Sequence, residues 1–258
     1  MSEALIEYKV DGNVALIGLN RAKKRNALSE ALVAELAAAV ERAGKEAAAA
    51  VLYGAGPAFS AGLDLAELAA RLQAPTEQAF RPGRSIWHST FDLIARGPIP
   101  FIAALHGATI GGGLELASAA HIRVADETTY FALPEGRRGI FVGGGGSVRI
   151  QRIIGFSTMA DMMLTGRVVT VEEARVMRLV QYVVEKGAAL TKAIEIARRV
   201  GENTPQTNWQ ITNVLPRIND MSHDDGLFAE YLNSRMPRPP ASLERLQEFL
   251  EKQAPPLR

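Results

Sequence analysis

The apolar residues in the first half of the chain fall into short runs separated by stretches with helical spacing. The runs ALIEYKV and VALIGL flank Asp11-Gly12-Asn13, a turn signal, and predict a hairpin. In SEALVAELAAAVERAG the apolar stripe predicts a helix with Ser29 as its N-cap and Gly44 at its end. The runs AAVLYGAG and IPFIAALHG predict buried strands, and HIRVADETTYFAL predicts two more short strands.

Helical patterns lie between these strands and follow them. DLAELAARL predicts a helix that begins near Asp64, and a less regular helical pattern runs from Glu77 to Ile94. This alternation favours an α/β architecture with parallel strand pairs as far as about residue 190. Beyond that point only helical patterns follow. We therefore divide the chain into a core, residues 1–190, and a helical region, residues 191–258, expected to pack on the core or on a neighbouring subunit.

Composition narrows the classes of function. The 258 residues are 47% hydrophobic, which suffices for a substantial core. No apolar run reaches the roughly 18 residues that a membrane span needs, and no signal-like segment opens the chain. The net charge of +1 gives no reason to expect nucleic acid as a partner. There is no cysteine, which fits a reducing compartment, and we expect a cytoplasmic protein. The four histidines lack metal-ligand spacing, so no metal site is predicted.

Three glycine clusters carry the candidate chemistry: GAGPAFSAGLDL, HGATIGGGLEL and GRRGIFVGGGGS. None has the pattern of a phosphate loop or of a dinucleotide site. The first two lie where a strand passes into a helix, before Leu63-Asp64 and before Leu114-Glu115. Because backbone N–H groups at a helix start are unpaired, two such loops can converge on one oxygen and form an oxyanion hole. The alternative is two tight turns without a ligand.

Two glutamates stand in apolar surroundings beside these clusters. Glu115 follows the glycines of the second cluster, and Glu135 precedes the third in FALPEGRRG. Such surroundings raise the pKa of a carboxyl group, which suits acid–base chemistry near neutral pH. If the two are close, they should share one proton, so that one acts as acid and the other as base. The alternatives are a charge stabilised by the helix dipole at Glu115 and an ion pair of Glu135 with Arg137 or Arg138.

The ordered segments resemble the crotonase superfamily and, within it, the enoyl-CoA hydratase/isomerase family. The resemblance is carried by FSAGLDL, HGATIGGGLELASAAHIRVA and FALPEGRRGIFVGGGGSVRIQRIIG, and NRAKKRNALS resembles the family's early coenzyme A segment. It extends from about residue 3 to residue 254. It implies a crotonase-like βαβ spiral core with a C-terminal helical trimerisation region, assembled as a homotrimer or a dimer of trimers.

The resemblance also implies roles for single residues. The backbone N–H groups of Leu63 and Gly112 would form the oxyanion hole for a thioester carbonyl. Glu115 and Glu135 would hold a water molecule, the first mainly as its base and the second as the acid that protonates the α-carbon. Gly143 would line the site near that water. The segments that contact coenzyme A in the family contain Lys24, Arg25, Ala27, Ala61, Asp64 and Leu65.

The implied reaction is reversible addition of water to the 2,3 double bond of an enoyl-CoA thioester. Coenzyme A would be part of the substrate, with no permanently bound cofactor. The alternatives are a double-bond isomerase, which often keeps only one glutamate, an aryl-propenoyl-CoA hydratase, and, from another class, a non-catalytic RNA-binding or scaffold relative. Dehalogenase relatives have an aspartate at the place of Gly143. Both glutamates are present and that aspartate is absent, which favours hydration.

Residues 66–92 cover the variable acyl-pocket region of the family. Trp87 and His88 are the candidates to face the acyl group, and Trp87 would suit a bulky or aromatic chain. The alternative for Trp87 is an ordinary aromatic side chain packed in the core. Two further histidines depart from the family pattern, His106 and His121, and we expect both to be packing or interface residues.

Overall fold

The computed structural model describes residues 4–73 and 85–251. The strands are β1 (Ile6–Asp11), β2 (Val14–Leu19), β3 (Ala49–Gly54), β4 (Phe101–Leu105), β5 (Ala108–Ile110), β6 (Ile122–Asp126), β7 (Tyr130–Ala132), β8 (Val168–Thr170) and β9 (Tyr182–Val184). The helices are α1 (Glu30–Glu46), α2 (Leu65–Gln73), α3 (Ile86–Arg96), α4 (Gly112–Ala119), α5 (Gly146–Ile154), α6 (Phe156–Thr165), α7 (Val171–Val176), α8 (Ala189–Gly201), α9 (Pro205–Trp209), α10 (Leu215–Ile218), α11 (His223–Ser234) and α12 (Pro240–Leu250).

The main sheet has the strand order β1-β2-β3-β4-β6-β9. Strands β1 and β2 pair antiparallel, which confirms the predicted hairpin, and every other neighbouring pair in this sheet is parallel. Strand β4 is buried throughout, and β3 nearly so, because helices cover both faces of the sheet. The predicted α/β architecture with parallel pairs is therefore confirmed.

A second, small sheet has the order β5-β7-β8, with three residues in each strand. Of these strands only β7 was predicted from the sequence, as the second half of HIRVADETTYFAL. Bridges between Ser60 and Thr109 and between Leu28 and Leu63 tie the loops after β2 and β3 to this region. The small sheet thus places the chain before α4 beside the loop that contains Leu63.

Helix α1 begins as predicted, because the hydroxyl of Ser29 accepts a hydrogen bond of 3.2 Å from the Leu32 N–H. Its end differs from the prediction, since the helix continues past Gly44 to Glu46. Gly44 is instead a packing position, because a β-carbon there would lie 2.8 Å from Cγ of Pro98. A close approach, and not a helix stop, accounts for this glycine.

Helix α8 covers the second face of the main sheet. Its buried stripe, Ala189, Ala193, Ile196 and Ala197, packs with apolar side chains of the central strands in one cluster. The division predicted at residue 190 therefore falls inside α8. The core extends to Gly201, because without this helix one face of a parallel sheet would be uncovered.

The remaining helices extend from this core. The stretch predicted as one helix, QTNWQITNVLPRI, consists of α9 and α10 joined by a π turn over Gln210–Val214. Several large apolar side chains of α10–α12 are more than half exposed, among them Leu215, Phe228 and Phe249. Within residues 4–73 and 85–251, none of the helices is both long and apolar enough to cross a bilayer. The helical pattern predicted for Glu77–Ile94 is a helix from Ile86 onward, and residues 77–84 lie outside the described residues.

Candidate active site

The triple glycine stands at the start of α4, where the backbone turns sharply. Gly111 precedes the helix with φ +54°, a backbone conformation that residues other than glycine rarely adopt. A β-carbon on Gly111 would lie 2.7 Å from Oε1 of Glu135. One on Gly113 would lie 2.7 Å from the carbonyl oxygen of Ser60. The glycines therefore let a carboxylate and a neighbouring loop approach the helix start closely.

Two backbone N–H groups face the space above this helix start. Leu28 donates to the Gly62 carbonyl at 2.7 Å and accepts from the Asp64 N–H at 2.9 Å, so the N–H of Leu63, between them, points the other way. Among the described residues, neither the Leu63 N–H nor the Gly112 N–H has an acceptor. A β-carbon built on Gly112 would lie 3.5 Å from the Leu63 nitrogen. Two unpaired donors from separate loops thus lie side by side.

Glu115 projects from the first turn of α4 and is only 3% exposed. Its Oε2 accepts a hydrogen bond of 2.7 Å from the Gly144 N–H, and Oε1 accepts one of 3.2 Å from the Gly146 N–H. Burial raises the pKa of this carboxyl, while the N–H groups of the glycine loop and the charge of Arg149 oppose that rise. The carboxylate is therefore held by donors that favour its charged form.

Glu135 has no comparable donors. It is buried, and its Oε2 has no hydrogen-bond partner in the described part of the chain. Burial is the main cause that raises its pKa to about 7. A hydrogen bond from its own backbone N–H opposes this rise, the charge of Glu115 adds a smaller increase, and Arg138 opposes it least. None of the ion pairs found among the described residues joins Glu135 to Arg137 or Arg138. Of the two carboxyl groups, Glu135 therefore has the weaker stabilisation of its charged form.

These groups line one cavity of about 320 Å³. Five of the residues that line it were placed in the site from the sequence: Leu63, Gly112, Glu115, Glu135 and Gly143. Ser85 and Gly144 add further polar groups that the sequence did not predict. The wall is apolar and is formed by Leu68, Trp87, Ile140, Phe141 and Val142. An oxygen bound by the two N–H groups would lie in the same enclosed space as both carboxylates.

The two candidates of the acyl region, Trp87 and His88, line different cavities. Trp87 lines the cavity and packs edge-on against Phe91, with ring centroids 5.9 Å apart. His88 is the next residue of α3, and it lines a different cavity of about 550 Å³, beside Asp92 and Arg149. The structure therefore does not bring His88 to the two glutamates, because consecutive helical residues point about 100° apart.

The predicted coenzyme A segments meet at one surface. The Ala61 N–H donates to the Arg25 carbonyl at 2.8 Å, which joins the turn around Lys24, Arg25 and Ala27 to the loop before α2. The Lys24 and Arg25 side chains are exposed, as is that of Leu65. Asp64 is buried and bound to Arg21 at 2.7 Å, and this ion pair lowers its pKa. Its carboxylate therefore stabilises the loop.

Sequence reasoning missed two supports of the site. Asn26 is fully buried at φ +53°, accepts from the Arg21 N–H at 2.9 Å and donates to the carbonyls of Ala55 and Ala58 at 2.9 and 2.8 Å. Arg149 donates to the carbonyl of Gly144 at 2.9 Å. In the sequence, Asn26 is marked only as an amide next to basic residues. Arg149 is marked only as one of the arginines that follow the glycine run.

The two unusual histidines pack within the fold. Nε2 of His106 lies 2.9 Å from the Gly56 carbonyl oxygen. Nδ1 of His121 accepts a hydrogen bond of 3.0 Å from the Phe101 N–H, and burial lowers the pKa of His121 to about 4. Neither lines the cavity of the two glutamates, in agreement with the packing roles predicted for them.

Comparison with known proteins agrees with this geometry. The chain matches the family model described as enoyl-CoA hydratase/isomerase over residues 9–258. A crystal structure of a Rhodopseudomonas palustris protein assigned as an enoyl-CoA hydratase is 43% identical, with a TM-score of 0.86, and the match covers 96% of this chain and 95% of that one. An enoyl-CoA hydratase of Mycobacterium tuberculosis is 36% identical over 79% of this chain and 76% of its own. The 2,3-dehydroadipyl-CoA hydratase of Escherichia coli is 31% identical over 99% and 98%. The predicted family and its crotonase-like fold are confirmed.

Proposed function

Because this chain belongs to the enoyl-CoA hydratase/isomerase family, we propose that it is an enoyl-CoA hydratase, which adds water reversibly to the 2,3 double bond of an enoyl-CoA thioester. One observation carries the proposal. Two unpaired N–H groups, of Leu63 and Gly112, share a cavity with two carboxyl groups in different surroundings. Glu115 accepts hydrogen bonds from the glycine loop, whereas Oε2 of Glu135 has no partner among the described residues. Hydration needs a base for water and an acid for carbon in one site, and this pair supplies both.

The N–H groups stabilise the charge that the reaction creates. The thioester carbonyl oxygen accepts hydrogen bonds from Leu63 and Gly112. As a water oxygen bonds to C3, the electron pair of the double bond moves through C2 towards this oxygen and forms an enolate. Fixed donors aimed at such an oxyanion contribute about 3–4 kcal/mol each. The start of α4 adds the positive end of its helix dipole at Gly112.

The carboxylates complete the proton transfers. Glu115, held as the anion by the N–H groups of the glycine loop, takes a proton from the water as its oxygen bonds to C3. Glu135 gives its proton to C2 as the enolate returns to the thioester. One hydrogen and one hydroxyl are thereby added, and the proton lost by Glu135 has been gained by Glu115. Transfer of that proton back to Glu135 restores the site for the next turnover.

Coenzyme A enters as part of the substrate, and every group that this mechanism uses belongs to the chain. We place its polar portion along the joined segments of residues 24–27 and 61–65, where the exposed charges of Lys24 and Arg25 suit phosphate groups. The acyl chain then lies against Trp87 in the apolar part of the cavity. This wall supports an acyl group with substantial apolar surface, including a branched or aromatic one.

We further propose that the chain acts as a homo-oligomer, a trimer or a dimer of trimers, assembled through its C-terminal helices. The exposed apolar side chains of α10–α12 support this, because large apolar patches usually mark interfaces. Light scattering coupled to gel filtration tests it, against a chain mass of 27.8 kDa. A mass of one chain at micromolar concentration would contradict the proposal.

The activity is tested with purified protein and a panel of straight, branched and aryl 2-enoyl-CoA thioesters, by following loss of the conjugated absorbance. Glu115→Gln and Glu135→Gln run alongside, with Glu127→Gln as an exposed glutamate control. We expect either site variant to lose at least about 1,000-fold in kcat while still binding the thioester, and the control to keep its activity. Turnover limited to 3-enoyl-CoA substrates would favour the isomerase, and absence of thioester binding would contradict both activities.

A further inference from the structure

Arg149 lies on the far side of the loop that holds Glu115. It belongs to α5, and its Nη1 donates to the carbonyl of Gly144 at 2.9 Å. Its Nη2 forms an ion pair with the carboxylate of Asp92 on α3. The N–H of the same Gly144 donates to Oε2 of Glu115 at 2.7 Å. Gly144 therefore connects the guanidinium on one side of the loop with the carboxylate on the other.

Three glycines of the loop between these two side chains, Gly144 to Gly146, leave no room for β-carbons. One on Gly144 would lie 2.7 Å from Oε2 of Glu115, and one on Gly146 would lie 2.6 Å from its Cγ. A β-carbon on Gly145, which has φ +92°, would collide with the guanidinium of Arg149. Gly144, Gly145 and Gly146 thus let the Glu115 carboxylate and the Arg149 guanidinium contact opposite sides of one loop.

The guanidinium is well suited to this position. Its side chain is only 14% exposed, and its two nitrogens reach Gly144 and Asp92 at once. A lysine has a single ammonium group and lacks this planar fork. The anchor itself is fixed by packing, because α3 also contributes the buried Phe91 to the core below the loop. Arg149 thereby connects the loop to a rigid element of the fold.

Charges around Glu115 come from several elements. Arg149 on α5 favours the charged form of Glu115, and Glu135, from the turn after β7, disfavours it. Asp92 and Arg96 on α3 face the guanidinium from behind. Replacing Arg149 by a neutral residue would remove one favourable charge and free the Gly144 carbonyl, and both changes weaken the hold on the Glu115 carboxylate.

We propose that Arg149, anchored by Asp92, is a positioning residue for the base, which fixes the glycine loop of residues 143–146 so that its N–H groups hold the Glu115 carboxylate in place. The consequence for hydration rests on the proposed function. The effect on Glu115 itself does not, and it can be measured without turnover.

The test compares Arg149→Gln, Arg149→Lys and Asp92→Asn with Arg152→Gln as a matched control. Arg152 lies one turn further along α5, lines the same outer cavity and pairs with Asp220 at 3.3 Å. We expect Arg149→Gln to lower kcat about 10- to 100-fold with KM changed less than about threefold. The acidic limb of its pH–rate profile should move to higher pH, because the lost positive charge raises the pKa of Glu115.

The other variants separate charge from shape. Arg149→Lys keeps the charge, so its acidic limb should stay near that of the unchanged protein while kcat recovers only in part. Asp92→Asn should lower kcat with a smaller shift, and Arg152→Gln should match the unchanged protein. The proposal would be overturned if Arg149→Gln kept full kcat and an unshifted acidic limb. It would also be overturned if Arg152→Gln changed kcat and the acidic limb as much as Arg149→Gln does. If Arg149→Gln does not fold, Arg149→Lys and Asp92→Asn decide: full kcat in both would overturn the proposal.

A second readout needs no substrate. Protein labelled with ¹³C at the glutamate side-chain carboxyl is titrated by NMR, and the Glu115 resonance is identified by its loss in Glu115→Gln. This resonance should titrate at a higher pH in Arg149→Gln than in the unchanged protein. If no thioester is hydrated, the proposed function fails while this measurement still stands. A Glu115 titration that Arg149→Gln leaves unmoved would then overturn the positioning role.

Discussion

Glu135 lies so close to Gly111 that a β-carbon on the glycine would stand 2.7 Å from the carboxylate oxygen Oε1. The glycine is also held at φ +54° immediately before α4. The start of the helix that presents the Gly112 N–H and the position of the Glu135 carboxylate are therefore set by the same few atoms. A change at this single glycine should disturb both groups at once.

Gly111→Ala is accordingly expected to lower kcat at least about 100-fold and to lower the free energy of unfolding by about 1–3 kcal/mol, from backbone strain and the clash with Glu135. Activity assays and urea unfolding measure the two effects. Gly12→Ala is the matched control, since Gly12 has φ +62° and open space around it. It should lose a comparable strain energy of about 1 kcal/mol and keep its activity. Full activity in Gly111→Ala would contradict the geometry of the helix start.

The titration of Glu135 should appear in the pH dependence of the free energy of unfolding. Its pKa is raised from 4.5 to about 7 in the folded protein, so the folded state binds the proton more tightly than the unfolded one. Stability is therefore greatest below about pH 4.5 with respect to this group and falls as the pH rises towards and through 7, by about 2–3 kcal/mol. Glu115 acts in the same direction because its pKa is also raised. Glu135→Gln should flatten the decline, measured by urea unfolding between pH 5 and about pH 8. An unchanged slope would contradict the burial of this carboxyl group.

The pH dependence of turnover follows from the same pair. The proposed reaction in either direction begins with one proton shared by Glu115 and Glu135. Loss of this last proton should produce an alkaline limb in kcat/KM with an apparent pKa near 7. Because hydration consumes no net proton, kcat/KM for hydration and for dehydration should show the same profile. Measurement of both directions on one thioester pair checks this, and two different profiles would contradict a single shared proton.

Trp87 should set the size of the accepted acyl group. Its ring lines the cavity, with Cζ3 3.5 Å from a β-carbon placed on Gly112. Trp87→Leu enlarges this space, so kcat/KM for bulky 2-enoyl-CoA thioesters should rise relative to a four-carbon substrate, by about tenfold. The chain has one other tryptophan, Trp209 on α9, and Trp209→Leu is the matched control. An identical shift in both variants would assign the effect to general loosening.

The buried amide of Asn26 should matter for stability more than for chemistry. Asn26→Ala removes one accepted and two donated hydrogen bonds that hold the turn in the predicted coenzyme A segment. It leaves the Arg21 N–H and two carbonyls unpaired, and a destabilisation of about 2–4 kcal/mol is expected by chemical denaturation. Asn219→Ala, at an exposed asparagine, should change stability by less than about 0.5 kcal/mol. A small effect at Asn26 would show that water replaces the lost bonds.

Long apolar runs made most of the main sheet predictable, because β3 and β4 are buried on both faces and leave an unbroken signal. The strands β5 and β8 have three residues each and are formed by their neighbours, so no periodic pattern marks them. Gly44 was read as a helix end because local chemistry cannot reveal a distant partner such as Pro98. That α8 spans residue 190 and packs on the sheet was hidden for the same reason, since the sheet face under α8 is visible only in three dimensions.

The site divides along similar lines. The glycine clusters and Glu115 and Glu135 were identifiable because bare backbone and charge in apolar sequence are both unusual. The separation of Trp87 from His88 was not, since it depends on which side of α3 meets the core. The support given by Arg149 was hidden as well, because an arginine that contacts a backbone carbonyl has no distinctive sequence neighbour.

The two proposed oxyanion donors, at Leu63 and Gly112, are main-chain atoms, and their directions are set by strand bridges and by the start of a helix. Exchange of a side chain for any residue other than proline does not delete a peptide N–H. Mutation can therefore alter the carboxylates or the apolar wall while the capacity to stabilise an enolate passes unchanged to the descendant protein. Under the proposed function, variation among descendants would fall on the groups that move protons and shape the acyl pocket, while the oxyanion donors would be inherited with the fold.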